Sequence, residues 1–80
     1  MRVGDRRGMA ADHNNLGLLA KETGDLTVAR QHLDSALAFN RADGRDEIAA
    51  TNLINLADLA ALAGEFGKAE EYYQEALAIL

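Results

Sequence analysis

The chain contains no cysteine, no proline and no tryptophan in 80 residues, and its aromatic side chains are two Tyr and two Phe. Without cysteine there is no disulfide framework, no thiolate metal site and no Cys nucleophile, which excludes the small secreted folds that depend on covalent staples. No apolar run approaches the roughly 18 residues of a membrane span, and the opening MRVGDRRGMAAD lacks the apolar centre of a secretion signal. Basic charge is scarce too. Eight Lys and Arg stand against thirteen Asp and Glu, a formal net charge of −5. The deficit lies in the second half: residues 1–40 carry five charges of each sign, whereas residues 41–80 carry three basic and eight acidic side chains. Such a surface repels phosphate backbones and anionic lipid, so neither nucleic acid nor membrane is expected as a partner, and a neutral or basic ligand is favoured. A soluble, cytoplasmic module is the expectation.

What the chain has in abundance is Leu and Ala. About half of it is apolar, and a Leu and Ala excess without proline is the composition of packed helices rather than of a sheet. The predicted fold class is therefore all-α. Eighty residues make one small domain near the size at which a single core just offsets the entropy lost on folding, so an enclosed active site is not expected.

The chain also repeats itself. A shift of 40 aligns Gly4 with Gly44, Ala10 with Ala50, Asn15 with Asn55, Leu16 with Leu56, Leu19 with Leu59 and Ala20 with Ala60, with no gap. Gly24 then falls on Gly64, Ala29 on Ala69, and Ala36, Leu37 and Ala38 on Ala76, Leu77 and Ala78. Within each copy the apolar spacing is helical: His13, Leu16, Gly17 and Ala20 share one face, and Ala29, Leu33, Ala36 and Leu37 another. Gly24 and Gly64 suit the left-handed conformation that ends a helix, and the acid after each suits the start of the next. Between the copies NRADGRDEI reads as a polar turn in which Asp43 or Asp46 caps the following helix. The prediction is two units, 1–40 and 41–80, with helices at about 6–23, 26–41, 46–63 and 66–79. Small residues at Gly17, Ala20, Ala29 and Ala36 bring the helices close, and Leu16, Leu33 and Leu37 fill the volume around them.

These residues resemble a known family. Leu16, Gly17, Ala20, Gly24, Ala29, Leu33, Ala36 and Leu37, then Leu56, Ala57, Ala60, Gly64, Ala69, Tyr73, Ala76 and Leu77, follow the pattern of tetratricopeptide repeats over nearly the whole chain. The unit of 40 residues exceeds the common 34 of that family. No proline closes the second helix, where Arg41 stands. This longer unit is similar to the repeats of kinesin light chains and of large bacterial signalling regulators. The resemblance implies two tandem helix-turn-helix hairpins, four antiparallel helices in a right-handed α-solenoid stack. It also implies a scaffold that holds a peptide or partner helix in a concave groove lined by the first helix of each pair.

Helical geometry puts Ala11, Asn14, Leu18, Lys21 and Glu22 on the side of the first helix opposite its packing stripe, with Thr51, Ile54, Asp58, Ala61 and Leu62 as their counterparts in the third, and the resemblance makes that side the groove. The resemblance makes Asn14, Leu18, Lys21, Thr51, Asn55, Asp58 and Leu62 the candidate peptide-binding residues. An Asn amide both donates to and accepts from a peptide backbone, which suits Asn14 and Asn55 to such a role, while Asn15 and Asn55 alternatively bond a neighbouring helix or face water. Members that grip a chaperone C-terminus place a Lys and two Asn where this chain has Asn14, Leu18 and Asp58, so a carboxylate clamp is not expected.

No HExxH motif, no Gly-rich phosphate loop and no nucleophile beside a base is present, so neither catalysis nor a cofactor is expected. His13 and His32 align with Leu53 and Tyr72 and read as ordinary half-buried positions rather than metal ligands. Glu65, Glu70, Glu71 and Glu75 read as a solvated outer face. Tyr73 is expected to pack inside the second hairpin, with Tyr72 facing outward. Ala76, Ile79 and Leu80 leave the terminal helix apolar where a polar cap is usual, so the chain is read as a piece of a longer array or as one that associates through its terminal faces. A structural spacer within a larger regulator is the alternative to peptide binding.

Overall fold

The structure is a computed structural model that describes residues 6–80; Gly4, aligned with Gly44 in the repeat, lies outside the described residues. Four helices follow one another: α1 (Arg6–Glu22), α2 (Leu26–Ala42), α3 (Asp46–Leu62) and α4 (Phe66–Ile79). The architecture is all-α, two helical hairpins stacked on one another, with no strand among the described residues.

The three turns share one construction. Gly24, Gly44 and Gly64 have φ of 87°, 68° and 79°, where a side chain would be strained. After each glycine the next N–H donates to a carbonyl five residues back: Asp25 to Ala20 at 2.9 Å, Arg45 to Asn40 at 2.9 Å and Glu65 to Ala60 at 2.8 Å. This closes the carbonyls that a helix end otherwise leaves unpaired. The segment joining the repeats is thus the same turn again, and neither Asp43 nor Asp46 caps α3. Arg45 holds that N-cap position without a side-chain bond, while Asp43 closes α2 and Asp46 lies inside the first turn of α3. A tight glycine turn leaves no room for a longer capping loop. Asp25 does cap α2, its Oδ1 accepting from the Val28 N–H at 3.2 Å.

The core belongs to the two inner helices. Ala29, Leu33 and Leu37 of α2 pack with Ala49, Ala50, Leu53, Leu56 and Leu59 of α3, and Ala76 of α4 joins them. A second cluster of Ala57, Ala60 and Ala69 closes the α3–α4 hairpin. Each fully buried Leu contributes about 1.5–3 kcal/mol relative to exposure, so Leu33, Leu53, Leu56 and Leu59, all at most 1% exposed, carry much of the stability. In the first hairpin the close approach is at Gly17, where an added Cβ would stand 2.8 Å from Leu33 Cγ and 3.2 Å from the Ala29 carbonyl oxygen.

Three packing expectations are corrected. Leu16 is 47% exposed, whereas its counterpart Leu56 is 1% exposed because α2 lies against α3. Tyr72 packs against both clusters, while Tyr73 is 40% exposed. Tyr73 occupies the register of Leu33, but the helix that covers Leu33 has no equivalent beside α4 in the structure. Ala76 is buried in the core rather than left at an apolar terminus, although Leu80 is exposed.

The α1–α2 contact yields a direct test. Gly17→Ala gains helix propensity of about 1 kcal/mol but forces a buried Leu and a backbone carbonyl apart, at roughly 1–3 kcal/mol, so a lower urea midpoint is expected. Gly67→Ala, with nothing within 4 Å of its added Cβ, is expected to raise the midpoint; the same sign at both positions would refute this packing.

Candidate functional site

Side chains of α1, α2 and α3 meet at a set of asparagines. Asn40 of α2 donates its Nδ2 to Asn52 Oδ1 of α3 at 2.6 Å. Asn52 donates its own Nδ2 to Asn14 Oδ1 of α1 at 3.0 Å, and Asn55 Nδ2 reaches the same oxygen at 3.5 Å. Three helices are therefore joined by amide groups at one place. Asn52 is fully buried and Asn40 nearly so, and no buried side-chain polar atom among the described residues lacks a partner. In a medium of low polarity each of these bonds is costly to break on one side only.

Of the candidate residues, Asn14 and Asn55 are brought into contact, Asn55 Nδ2 reaching α1 at the Asn14 oxygen. Asn15 is exposed. Leu18 and Lys21 are half-buried on α1, and Leu62 is 63% exposed at the end of α3 with Ile54 37% exposed about two turns before it. Thr51 is exposed and turns its hydroxyl onto its own helix, donating to the Glu47 carbonyl at 3.2 Å. Asp58 is engaged from the next helix: the Tyr73 hydroxyl donates to its Oδ1 at 2.5 Å. That bond, aided by partial burial, holds the Tyr73 phenol above its ordinary pKa.

Asn40 and Asn52 escaped the sequence reading. Asn52 aligns with Asp12 under the 40-residue shift, so it does not appear as a repeated feature. The available signal was an amide set within otherwise apolar stripes, Asn40 after Leu33 and Leu37, and Asn52 between Ala49 and Leu56.

Elsewhere the polar groups pair locally. His13 and His32 face each other with Nδ1 atoms 3.0 Å apart and ring centroids 5.2 Å apart. At that centroid distance the two nitrogens lie nearly on the line between the rings. This is the geometry of a hydrogen bond from one imidazole N–H to the other nitrogen, and the lone pairs do not converge on a shared ion. Among the described residues no group of three or more His, Asp or Glu is arranged to hold a metal. The outer acids are not uniformly solvated: Glu65 pairs with Arg30 at 2.5 Å and Glu75 with Arg41 at 2.8 Å, tying α2 to the second hairpin. The hydrogen bond from Arg30 lowers the Glu65 pKa. Exposed pairs of this kind contribute little to stability but favour one register. An open cleft of about 440 Å³ lies beside Arg30 and Glu65. The Cα atoms span 38 × 30 × 12 Å.

Among known proteins, residues 7–80 match the tetratricopeptide repeat family. No curated protein and no solved structure matches the chain.

Two outcomes follow from the polar contacts. Asn52→Ala leaves the Asn40 amide buried without its acceptor and is expected to cost about 1–3 kcal/mol, whereas Asn55→Ala, which loses one long bond at a half-exposed position, is expected to cost under about 0.5 kcal/mol; denaturant titration separates them. The raised Tyr73 pKa means that its bond stabilises the folded chain below the pKa of the unfolded phenol, about 10, and is lost as pH rises through the folded value. Tyr73→Phe should therefore show a smaller stability loss between about pH 9 and 11 than the parent; an equal loss would remove Tyr73 from the account.

Proposed function

Because the chain belongs to the tetratricopeptide repeat family, whose repeats generally serve as non-enzymatic scaffolds for protein–protein interaction, we propose that it is an interaction module that holds an extended peptide or a helix in the groove of α1 and α3. The observation that carries this reading is the state of the Asn14 and Asn55 amides. Their mutual bond uses the Asn14 oxygen and the Asn55 nitrogen. The Asn14 Nδ2 and the Asn55 Oδ1 make no hydrogen bond among the described residues. One donor and one acceptor thus remain on two contacting side chains, groups of the kind that a peptide backbone bonds. Leu18, Ile54 and Leu62 supply apolar contact around them, and Lys21 and Asp58 set one positive and one negative edge. Such a surface grips backbone and apolar side chains and offers no paired cations to a carboxylate terminus.

Helix membership alone is no argument on location: no helix among the described residues is long and apolar enough to cross a membrane. Binding of proteins or peptides is the family's general property, and the groove residues named above are the proposal for this chain.

Peptides selected by display against the whole chain test it. Binding is expected to fall at least about tenfold, 1.4 kcal/mol, in Ile54→Asp and Leu62→Asp, both at exposed positions where stability changes stay small. A selected peptide whose affinity is untouched by both substitutions would place the partner elsewhere, and repeated failure to select any would favour the spacer reading.

A further inference from the structure

His13 of α1 and His32 of α2, both half-buried, hold their Nδ1 atoms 3.0 Å apart and their ring centroids 5.2 Å apart. The line between those nitrogens has room for one hydrogen. A neutral pair fills it with a single N–H: one ring donates from Nδ1 and keeps a lone pair on Nε2, and the other accepts at Nδ1 and carries its hydrogen on Nε2.

Added protons therefore enter the pair unequally. The first takes the free Nε2 of the donor ring, leaves the bond between the Nδ1 atoms in place and makes it charge-assisted. Phe39 selects where that charge sits: its ring stacks on His13 with centroids 5.9 Å apart and planes 17° apart, close enough for a cation–π attraction, so His13 is the donor. The second proton has only the Nδ1 of His32 left. It turns the acceptor into another donor and sets two cations against each other in a half-buried place, and the rings must part.

No neighbouring charge offsets that second cation. The residues three and four positions from either ring along its own helix are all uncharged, Ser35 being the most polar of them. Asp12 is next to His13 in sequence but exposed. Arg30 and Asp34 lie on the opposite side of α2 from His32, where Arg30 pairs with Glu65 and Asp34 faces Arg30 and Lys68. Helix α3 meets α1 at Asn14 through the neutral amides of Asn52 and Asn55. Helix α4 reaches α2 through Glu75, which is held by Arg41 more than two turns beyond His32.

We propose that the His13–His32 pair is a proton-operated joint in the first hairpin: it closes α1 on α2 while it holds at most one added proton, and it releases α1 when the second is taken up. Asn14 follows His13 on α1, so its bonds to Asn52 and Asn55 loosen with the joint. The unfolded chain takes a proton on each imidazole as pH falls through the ordinary His range, about 6.5, whereas the folded chain refuses one of the two. The joint thus contributes fully above that range, and its contribution is lost as pH falls below it, by up to about tenfold in the folding equilibrium per pH unit. It works whether or not the side of α1 and α3 that carries Asn14 binds a peptide.

The test follows the imidazole nitrogens of the whole chain by NMR between about pH 7.5 and 4.5, with urea midpoints over the same range for the parent and for His13→Asn, whose amide oxygen accepts from His32 whether that ring is neutral or charged. His13 is expected to charge first, His32 to stay neutral at Nδ1 until the amides of α1 exchange freely while those of α3 remain protected, and the parent midpoint to fall with pH more steeply than that of the variant. Asp34, whose carboxyl is held above its ordinary range by partial burial, and the other carboxylates are common to both chains and cancel. Both rings charged with α1 still seated, both charging in one shared step, or His13→Asn as acid-sensitive as the parent would each overturn the proposal. The parent spectra alone decide it if the variant does not fold.

Discussion

Everything in this fold rests on α2 and α3 lying against each other. A helix of about 17 residues is marginal alone in water, and a single hairpin covers only one side of each of its helices. The contact between hairpins supplies the rest: Leu33 and Leu37 from one side, Leu53, Leu56 and Leu59 from the other, all removed from water. At one end of that apolar seam the Asn40–Asn52 bond fixes which turn of α2 meets which turn of α3. Leucines alone would tolerate a slip of one turn, because a neighbouring leucine can enter the same gap. Two buried amides do not, because a slip leaves both unpaired. The exposed Arg30–Glu65 and Arg41–Glu75 pairs agree with the same register at the edges.

The division between hidden and visible surfaces follows from this arrangement. Helices α1 and α4 pack mainly within their own hairpins and each present an exposed stripe, Leu16 and Leu19 on one and Phe66, Leu77 and Leu80 on the other. The side of α1 and α3 that carries Asn14 and Asn55 is different in kind. It is built around the amide set that α1 shares with α3, so its polarity comes from the same interaction that sets the register, and its free donor and acceptor are held in place by bonded atoms of the same amides.

Much of the fold was legible in the sequence, and for a physical reason. The shift of 40 exposes the small residues where backbones approach, Gly17 against Leu33 above all, and the glycines that must take positive φ. Both are requirements of the backbone, and a sequence records those position by position. What it does not record is whether a position has a neighbour. Leu16 and Leu56 are equivalent in the repeat yet 47% and 1% exposed, and Tyr73 stands where Leu33 is buried but has no covering helix. The buried amides were invisible for another reason: Asn40 and Asn52 pair across helices 12 residues apart in sequence, and neither has an Asn partner under the 40-residue shift. Of the groove residues, the meeting of Asn14 with Asn55 required three helices to be placed first.

The central claim is that the two hairpins form one cooperative unit through α2 and α3, and native-state hydrogen exchange tests it most directly. If the inner interface is the keystone, the amides of Leu33, Leu37, Leu53 and Leu56 should exchange with a single shared opening free energy, equal to that of global unfolding, and those of α1 and α4 should open more easily. Exchange of α1 with α2 at one free energy and of α3 with α4 at another would mean that each hairpin holds itself together, and would contradict the account.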